Sequence, residues 1–280
     1  MRPMLLVAAC NLFTDDALCA LPCAAAVEVF HNFTLLHDDI MDNAPLRRGK
    51  ESVYKRWGVN TAILSGDAMM IFAYRLLEKA PRRYLGQILV EFNTMALEVC
   101  EGQQFDMEFE RRGEVSAEEY IRMIELKTGA LIARPLCMGA LTGGATDGEC
   151  RALYDFGRNL GIAYQLQDDL LDTYGDEESF GKSIGGDILE GKKTFLVVSA
   201  LAAGCGEQLM PLLRDLAMPS QHKIEQVRAL FDMAGVHIAT KREIARYTSL
   251  ALEALARVDV AGERKVILHD IAISLLNRNR

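Results

Sequence analysis

The chain has 280 residues and 50% of them are hydrophobic, which is enough to bury a substantial core. The formal net charge of −8 argues against nucleic acid as a partner, because the phosphate backbone attracts chains with an excess of lysine and arginine. The seven cysteines follow neither a metal-binding nor a disulfide spacing, and we see no signal-peptide pattern, so we expect reduced thiols in a cytoplasmic protein.

Apolar residues recur at a helical period in nearly every segment with a clear pattern. Taken in chain order, the pattern predicts helices over residues 24–40, 61–78, 84–109, 117–139 and 152–172. After Thr194 it predicts three or more further helices. Ser116 and Glu119 have the spacing of a capping box in front of the fourth of these. The longest apolar stretches, such as residues 195–203, are shorter than the roughly 20 residues of a membrane span, so we predict no membrane span.

Alternating strand patterns are absent from the sequence. We therefore predict an all-α fold, a single-domain helical bundle over residues 1–280 with about nine to eleven helices around a deep apolar cavity. Five glycines fall within residues 174–193, among acids and lysines. This composition predicts an active-site loop or lid rather than a linker between domains.

Two acidic clusters with the same spacing each follow an apolar helical run, and they consist of Asp38, Asp39 and Asp42, and of Asp168, Asp169 and Asp172. Carboxylates four residues apart lie on one face of a helix and repel each other, so a cation is expected between them. Ligands that offer only oxygen favour a hard cation such as Mg²⁺. A solvated acidic face is the alternative for one cluster alone, and two matching clusters make the metal interpretation the stronger one.

The segments around these clusters resemble the motifs of a known family. Residues 35–42 with 46–50 resemble the first aspartate-rich motif of the trans-isoprenyl diphosphate synthases (polyprenyl synthetases), and residues 164–172 resemble the second. Residues 127–131 resemble a third element, and residues 181–194 resemble the loop that follows the second motif. The resemblance extends from about residue 2 to the C-terminal helices and is to the short-chain type. It implies the isoprenoid synthase class I fold.

For this family the resemblance implies Mg²⁺-dependent head-to-tail condensation of isopentenyl diphosphate with an allylic prenyl diphosphate, to a C15–C20 product. It implies about three Mg²⁺ ions per active site with substrate bound, and a homodimer. Asp38, Asp42 and Asp168 would be direct metal ligands. The other three acids of the clusters would be ligands or would support them, namely Asp39, Asp169 and Asp172.

The resemblance also assigns the residues that contact substrates. Those that would grip the allylic diphosphate are Arg47, Lys127, Lys182 and Lys192. Thr128 and Gln165 would stabilise the allylic cation through their dipoles. Those that would bind isopentenyl diphosphate are Arg2, His31 and Arg48. Taken alone, His31 fits an ordinary core histidine better, and its place seven residues before Asp38, where the family carries a His or Gln, favours the ligand role.

Product length is expected to depend on the residues one or two turns before the first cluster. Helical spacing directs Phe30, Phe33 and Thr34 towards the expected channel for the hydrocarbon tail. An aromatic ring there would form a floor, with Phe33 implying a C20 product and Phe30 a C15 product. The alternative is that both rings belong to the ordinary core.

Relatives of this type carry a Gly-Gly-Lys element before the arginine that corresponds to Arg2, and the printed sequence begins after it. We therefore expect this chain to lack one or two N-terminal helices of the family. Two other functions remain open at this stage. One is a non-catalytic regulatory subunit of a prenyl synthase, and the other is a class I terpene cyclase, which the fully carboxylate second cluster disfavours.

Overall fold

The structure is a computed structural model, and it describes residues 1–175, 184–215 and 217–276. In the first part of the chain the helices are α1 (Arg2–Asn11), α2 (Leu21–Met41), α3 (Val53–Trp57), α4 (Val59–Leu77), α5 (Leu85–Arg111) and α6 (Ala117–Ile124). A 3-10 turn over Ala17–Ala20 precedes α2. Two short antiparallel strands, β1 (Leu46–Arg47) and β2 (Lys50–Glu51), form a hairpin after it.

The second part continues with α7 (Ala130–Gly143), α8 (Asp147–Tyr174), α9 (Gly186–Glu190), α10 (Phe195–Ala202), α11 (Gly206–Arg214), α12 (Ser220–Met233), α13 (Val236–Ala256) and α14 (Gly262–Leu276). The predicted all-α fold is confirmed. The described residues hold a few more helical segments than expected, because five-residue turns such as α3 and α9 count as elements of their own. The predicted capping box is also confirmed at the start of α6, where the Ser116 hydroxyl accepts from the Glu119 amide.

One predicted helix, over residues 117–139, is interrupted by the π-helical segment Glu125–Gly129. A wide turn at this point brings Gly129 close to α8, since a Cβ atom on Gly161 would lie 2.6 Å from Gly129 Cα. The apolar residues keep their helical spacing through the segment, so periodicity alone does not reveal the break. The segment carries Lys127 and Thr128.

The described residues form two compact units. The first comprises residues 1–95, 131–154 and 257–268, and the second comprises residues 96–130, 155–256 and 269–280. In the first unit α2 packs against α1 and α4. In the second unit α10 packs against α6, α11, α12 and α13, and most of its side chains are buried. The first acidic cluster belongs to the first unit and the second cluster to the second, while the single domain stays a prediction.

The stretch Ala17–Met41, which includes α2, is long and apolar enough by length and composition to cross a membrane. This differs from the sequence-based expectation, because that expectation counted only uninterrupted apolar runs and this stretch contains polar residues. In the structure α2 is a core helix of the first unit, where Cys23, Ala26, Val27 and Phe30 are buried. Its last turn carries Asp38 and Asp39, so the helix positions the first acidic cluster.

Candidate active site

The first acidic cluster lies at the C-terminal end of α2. Asp38 and Asp39 lie in its last turn, and Asp42 follows its last residue. Asp38 and Asp42 are one helical turn apart, so they lie on the same side of the helix. Both are partly exposed, whereas Asp39 is buried. The two outer residues are therefore partly accessible, with Asp38 Oδ1 itself buried, and the middle carboxylate is enclosed.

Arg47 contacts this cluster from the β1–β2 hairpin. Its Nη2 lies 3.1 Å from Asp38 Oδ2, and its Nε donates to Asp39 Oδ1 at 2.7 Å. Burial raises the pKa of the Asp39 carboxyl, and the hydrogen bond and charge of Arg47 oppose that shift. The hairpin turns at Arg48 and Gly49, which have φ angles of 54° and 74°. This two-residue turn sends β2 back beside β1 and leaves Arg48 exposed.

His31 lies two turns before the first cluster, on the same helix, and it is buried. Burial, together with the positive charges of Arg2, Arg48 and Arg47, lowers the pKa of its imidazole to about 3. Its Nδ1 atom is buried and has no hydrogen-bond partner among the described residues. The structure therefore brings Arg2, His31 and Arg48 into one electropositive region, and His31 lacks the full set of partners expected of an ordinary core histidine.

The rings assigned to chain length occupy two depths. Phe30 is 1% exposed, and its ring centroid lies 5.3 Å from that of Phe92 and 5.5 Å from that of Phe33. Phe33 is partly exposed and packs edge-on against His37 at 4.8 Å. The Thr34 hydroxyl donates to the His31 carbonyl at 2.8 Å, within its own helix. Phe33 and Thr34 are therefore the more accessible positions, and Phe30 lies behind them in the core.

The second acidic cluster lies in the last two turns of α8, and its middle residue, Asp169, is also buried. Asp169 Oδ2 accepts from the Tyr120 hydroxyl at 2.5 Å and from the Phe195 amide at 3.4 Å. Asp169 Oδ1 accepts from Gln165 Nε2 at 3.0 Å. Burial raises the pKa of Asp169 to about 6, and these three donors limit the shift. Asp168, one residue earlier, is partly exposed.

The π-helical segment supplies two of the predicted residues. The Thr128 hydroxyl donates to Gln165 Oε1 at 2.9 Å, so the hydrogen-bonded chain runs from Thr128 through Gln165 to Asp169. Lys127 Nζ pairs with Asp106 Oδ2. A Cβ atom on Gly102 would lie 2.4 Å from the Lys127 amide nitrogen, so position 102 has no room for a side chain. α5 therefore fixes Lys127 through both Asp106 and Gly102.

The end of the second cluster is tied to the segment around α9. Asp172 Oδ2 accepts from the Asp187 amide at 3.0 Å, and the Asp172 carbonyl accepts from the Gly185 amide at 2.7 Å. Burial, with the negative charge of Asp172 beside it, raises the pKa of the Asp187 carboxyl well above its ordinary value. Lys192 Nζ pairs with Glu190 Oε2 at 2.9 Å. Lys182, the fourth residue predicted to grip a diphosphate, lies outside the described residues.

Both clusters share one arrangement, with a buried middle aspartate and outer carboxylates that are partly exposed. Exposed oxygen ligands fit a hard cation such as Mg²⁺. Within residues 1–175, 184–215 and 217–276, no group of three or more His, Cys, Asp and Glu side chains is arranged to hold a metal ion by itself.

Two residues of this site were not assigned roles from the sequence. Tyr120 reaches the buried Asp169 from α6, and no motif marks it. Asp106 pairs with Lys127, and a helical period does not fix which neighbour a side chain meets.

Comparison with known proteins identifies the family. Residues 1–234 match the family model described as polyprenyl synthetase. The chain belongs to the polyprenyl synthetase family. A geranylgeranyl diphosphate synthase of Saccharolobus solfataricus is 38% identical over 94% of this chain and 81% of that protein. A geranylfarnesyl diphosphate synthase of Natronomonas pharaonis is also 38% identical, over 94% of this chain and 76% of its own length.

Solved structures of polyprenyl synthetases have the same fold. A crystal structure of a geranylgeranyl pyrophosphate synthase superposes with a TM-score of 0.95 and 46% identity, and the match covers 99% of this chain and 86% of that one. A geranylgeranyl pyrophosphate synthetase from Pyrococcus horikoshii gives a TM-score of 0.92 at 32% identity, covering 99% of this chain and 85% of that one. The resemblance stated from the motifs is therefore confirmed.

The Asp169→Asn substitution tests the buried carboxylate through stability. The pKa of Asp169 is about 6 in the folded chain against an ordinary value of 3.8, so between these pH values the folded chain keeps a proton that the unfolded chain has released. The contribution of the Asp169 carboxyl to the free energy of unfolding is therefore present below about pH 4 and is lost as the pH rises to about 6. Asparagine does not titrate, so the free energy of unfolding of the variant, relative to wild type, should rise by about 1–3 kcal/mol from pH 4 to pH 7.

The measurement is urea unfolding in EDTA at several pH values. Asp259→Asn is the control, because Asp259 is exposed and its variant should follow the wild-type curve. If the free energies of unfolding of wild type and Asp169→Asn change in parallel with pH, the pKa of Asp169 is not raised in the folded chain.

Proposed function

We propose that this chain catalyses the Mg²⁺-dependent head-to-tail transfer of an allylic prenyl group to isopentenyl diphosphate, and so makes a short-chain trans-prenyl diphosphate. Its family consists of prenyltransferases, and its named relatives include geranylgeranyl, geranylfarnesyl and farnesyl diphosphate synthases. The single observation that carries the proposal is the matched pair of aspartate clusters, each with accessible outer carboxylates around a buried middle one.

Asp38, Asp42 and Asp168 are the proposed Mg²⁺ ligands, with about three ions when substrate is bound. Asp172 is a further ligand or supports Asp168. Asp39 and Asp169 hold the clusters in place, because their carboxylates are buried and already accept from Arg47, Tyr120 or Gln165. Bound Mg²⁺ supplies positive charge that stabilises the departing diphosphate.

The cations of the site hold the allylic diphosphate. Arg47 lies between Asp38 and Asp39, so its planar guanidinium is available beside the cluster at which a metal-bound diphosphate would arrive. Lys127 and Lys192 are each held by one carboxylate, Asp106 and Glu190, which limits the motion of their long side chains. Lys182 is proposed as a fourth contact from its motif alone.

Thr128 and Gln165 stabilise the allylic cation. Because Gln165 Nε2 donates to Asp169, the amide cannot flip without losing that bond, and its Oε1 stays beside the Thr128 hydroxyl. Two oxygen atoms are thus preorganised as the negative ends of dipoles, which is the arrangement that stabilises a developing positive charge. The proton that leaves after the new bond forms goes to the departing diphosphate, so no dedicated protein base is required.

Isopentenyl diphosphate binds in the first unit, at Arg2, His31 and Arg48. His31 is neutral at physiological pH, because its pKa is lowered to about 3. A neutral imidazole with an unused, buried Nδ1 offers one hydrogen bond to a phosphate oxygen or its hydroxyl without adding charge. The two arginines supply the charge.

A product assay tests the proposed activity. The wild-type chain is incubated with Mg²⁺, isopentenyl diphosphate and, separately, dimethylallyl, geranyl and farnesyl diphosphates, and chain length is read by mass spectrometry. Asp38→Ala and Asp168→Ala are expected to lower turnover by about 10²-fold or more, because each removes a metal ligand. Helicity, measured by circular dichroism, should be unchanged.

Asp259→Ala is the matched control, since it removes an exposed acid outside both clusters. Near-wild-type turnover in both cluster variants would contradict the metal assignment. No product from any primer, with the wild type folded, would favour a non-catalytic partner of a synthase. A cyclised hydrocarbon would favour a terpene cyclase.

Phe33 is the proposed floor of the hydrocarbon channel, with a C20 product, since it is the more accessible of the two rings. Phe33→Ala is expected to lengthen the product by at least one C5 unit. Phe30→Ala should instead cost about 3–5 kcal/mol of stability, because the ring is buried between Phe33 and Phe92. If Phe33→Ala leaves the product unchanged while Phe30→Ala lengthens it, the floor lies at Phe30.

A homodimer is the proposed assembly, in a cytoplasmic protein. Within the first unit, α4 exposes Leu64 and Ile71, seven residues apart, at 68% and 65%, and α5 exposes Val90 at 63%. Large apolar side chains at a seven-residue spacing form a seam suited to another helix pair of the same kind. A second copy of the chain is the proposed occupant.

The double substitution Leu64→Lys with Ile71→Lys should convert the dimer into a monomer in light scattering coupled to size-exclusion chromatography, because it places charges in the seam. Met233→Lys is the matched control, since Met233 is an equally exposed apolar residue on α12. A wild-type chain that runs as a monomer, or a dimer that survives the double substitution, would rule out this seam.

A further inference from the structure

A polar cavity of about 270 Å³ lies within the second unit, and none of the residues assigned above lines it. The cationic side chains in its wall are Arg111, Arg112, Lys193 and Arg214. Two carboxylates, those of Glu110 and Glu190, also line it. In a chain with a net charge of −8, a cavity with twice as many cations as acids requires an explanation.

Basic residues at helix C-termini often serve only to pair with the last carbonyls, and both Arg111 and Arg214 end a helix. Here two buried lysines bind backbone carbonyls in or just after the last turn of these helices. Lys193 Nζ donates to the Arg112 carbonyl at 2.9 Å and to the Gly113 carbonyl at 3.3 Å, after the end of α5. Lys223 Nζ donates to the Leu213 carbonyl at 2.8 Å, at the end of α11. At the end of α11 the Arg214 side chain is therefore not needed as a cap.

The pairing of charges leaves two guanidinium groups available. Arg112 pairs with Glu119 at 2.8 Å, and Glu190 pairs with Lys192 at 2.9 Å. Arg111 and Arg214 are exposed, and neither pairs with an acid in the part of the chain that the structure describes. Burial lowers the pKa of Lys193, and the positive charge of Arg214 lowers it further. The cavity is thus electropositive.

We propose that this cavity is an anion site that binds the diphosphate group of a ligand through Arg111 and Arg214. A guanidinium group binds two oxygens of one phosphate in a fixed geometry, so two of them in the wall of one cavity suit two linked phosphates. Leu213 is buried and Met210 is partly buried in the same wall, which offers apolar contact beside the charged group. The ligand is either inorganic diphosphate or an organic diphosphate whose chain meets these two residues.

The site is independent of the proposed activity, because it uses none of the aspartates, lysines or aromatic residues assigned to it. The test is therefore carried out without free metal ions, so that metal-dependent binding at the aspartate clusters does not contribute to the signal. Isothermal titration calorimetry of the full chain is carried out in EDTA, with inorganic diphosphate in one arm and farnesyl diphosphate in the other. The double variant Arg111→Gln with Arg214→Gln removes both guanidinium groups.

The matched control is Arg75→Gln with Arg82→Gln, which removes two exposed positive charges from the first unit. Binding of diphosphate should weaken by about tenfold or more in the cavity variant, since it loses two guanidinium groups that make charge-assisted hydrogen bonds, and the control should match wild type. Tighter binding of farnesyl diphosphate identifies an organic ligand, and equal binding identifies inorganic diphosphate.

No binding to the wild type in EDTA, or equal binding by all three chains, would overturn the proposal. Circular dichroism confirms folding, and if the double variant does not fold, Arg111→Gln alone is used and should show a smaller loss of affinity.

Discussion

A carboxylate enclosed by protein must be surrounded by hydrogen-bond donors, and the second unit is organised around one such group. Asp169 takes donors from a tyrosine on α6, a glutamine on its own helix and the first backbone amide of α10. These three elements are therefore held at fixed distances from the second cluster. Asp39 imposes the same requirement on the first unit, where Arg47 of the hairpin meets it. In both units the buried aspartate fixes the position of the elements that donate to it, while the outer aspartates of its cluster stay partly exposed.

This division of roles within each cluster explains how an acidic protein handles anionic substrates. The accessible acids repel a bare diphosphate, so binding requires cations that the clusters can recruit. The fixed cations lie beside the acids rather than in place of them, since Arg47 pairs with Asp38 and Lys127 with Asp106. Each pair holds a long side chain near the position where it is needed, and the pairing keeps the local charge balanced until a ligand arrives.

The all-α fold and both clusters could be predicted from the sequence, because helical periodicity and residue spacing are local properties. The capping box at Ser116 could be predicted for the same reason. The break at Glu125–Gly129 could not be predicted, since it depends on how closely Gly129 approaches Gly161 of another helix. Tyr120 was missed for the same reason, because its contact with Asp169 spans 49 residues of sequence. Local patterns indicate which residues bear the chemistry, and tertiary packing decides which of them are buried.

The aromatic residues behind the first cluster form a continuous series. Phe33 packs on Phe30, Phe30 on Phe92, and Phe92 on Tyr74, with successive ring centroids 5.5, 5.3 and 5.3 Å apart. A hydrocarbon chain that grows towards this series would meet rings one at a time, each a stop of about the thickness of an isoprene unit. Each ring removed further into the core would also cost more in packing, because Phe30 and Phe92 are buried and Phe33 is partly exposed, so under the proposed function a longer product would be linked to a less stable core.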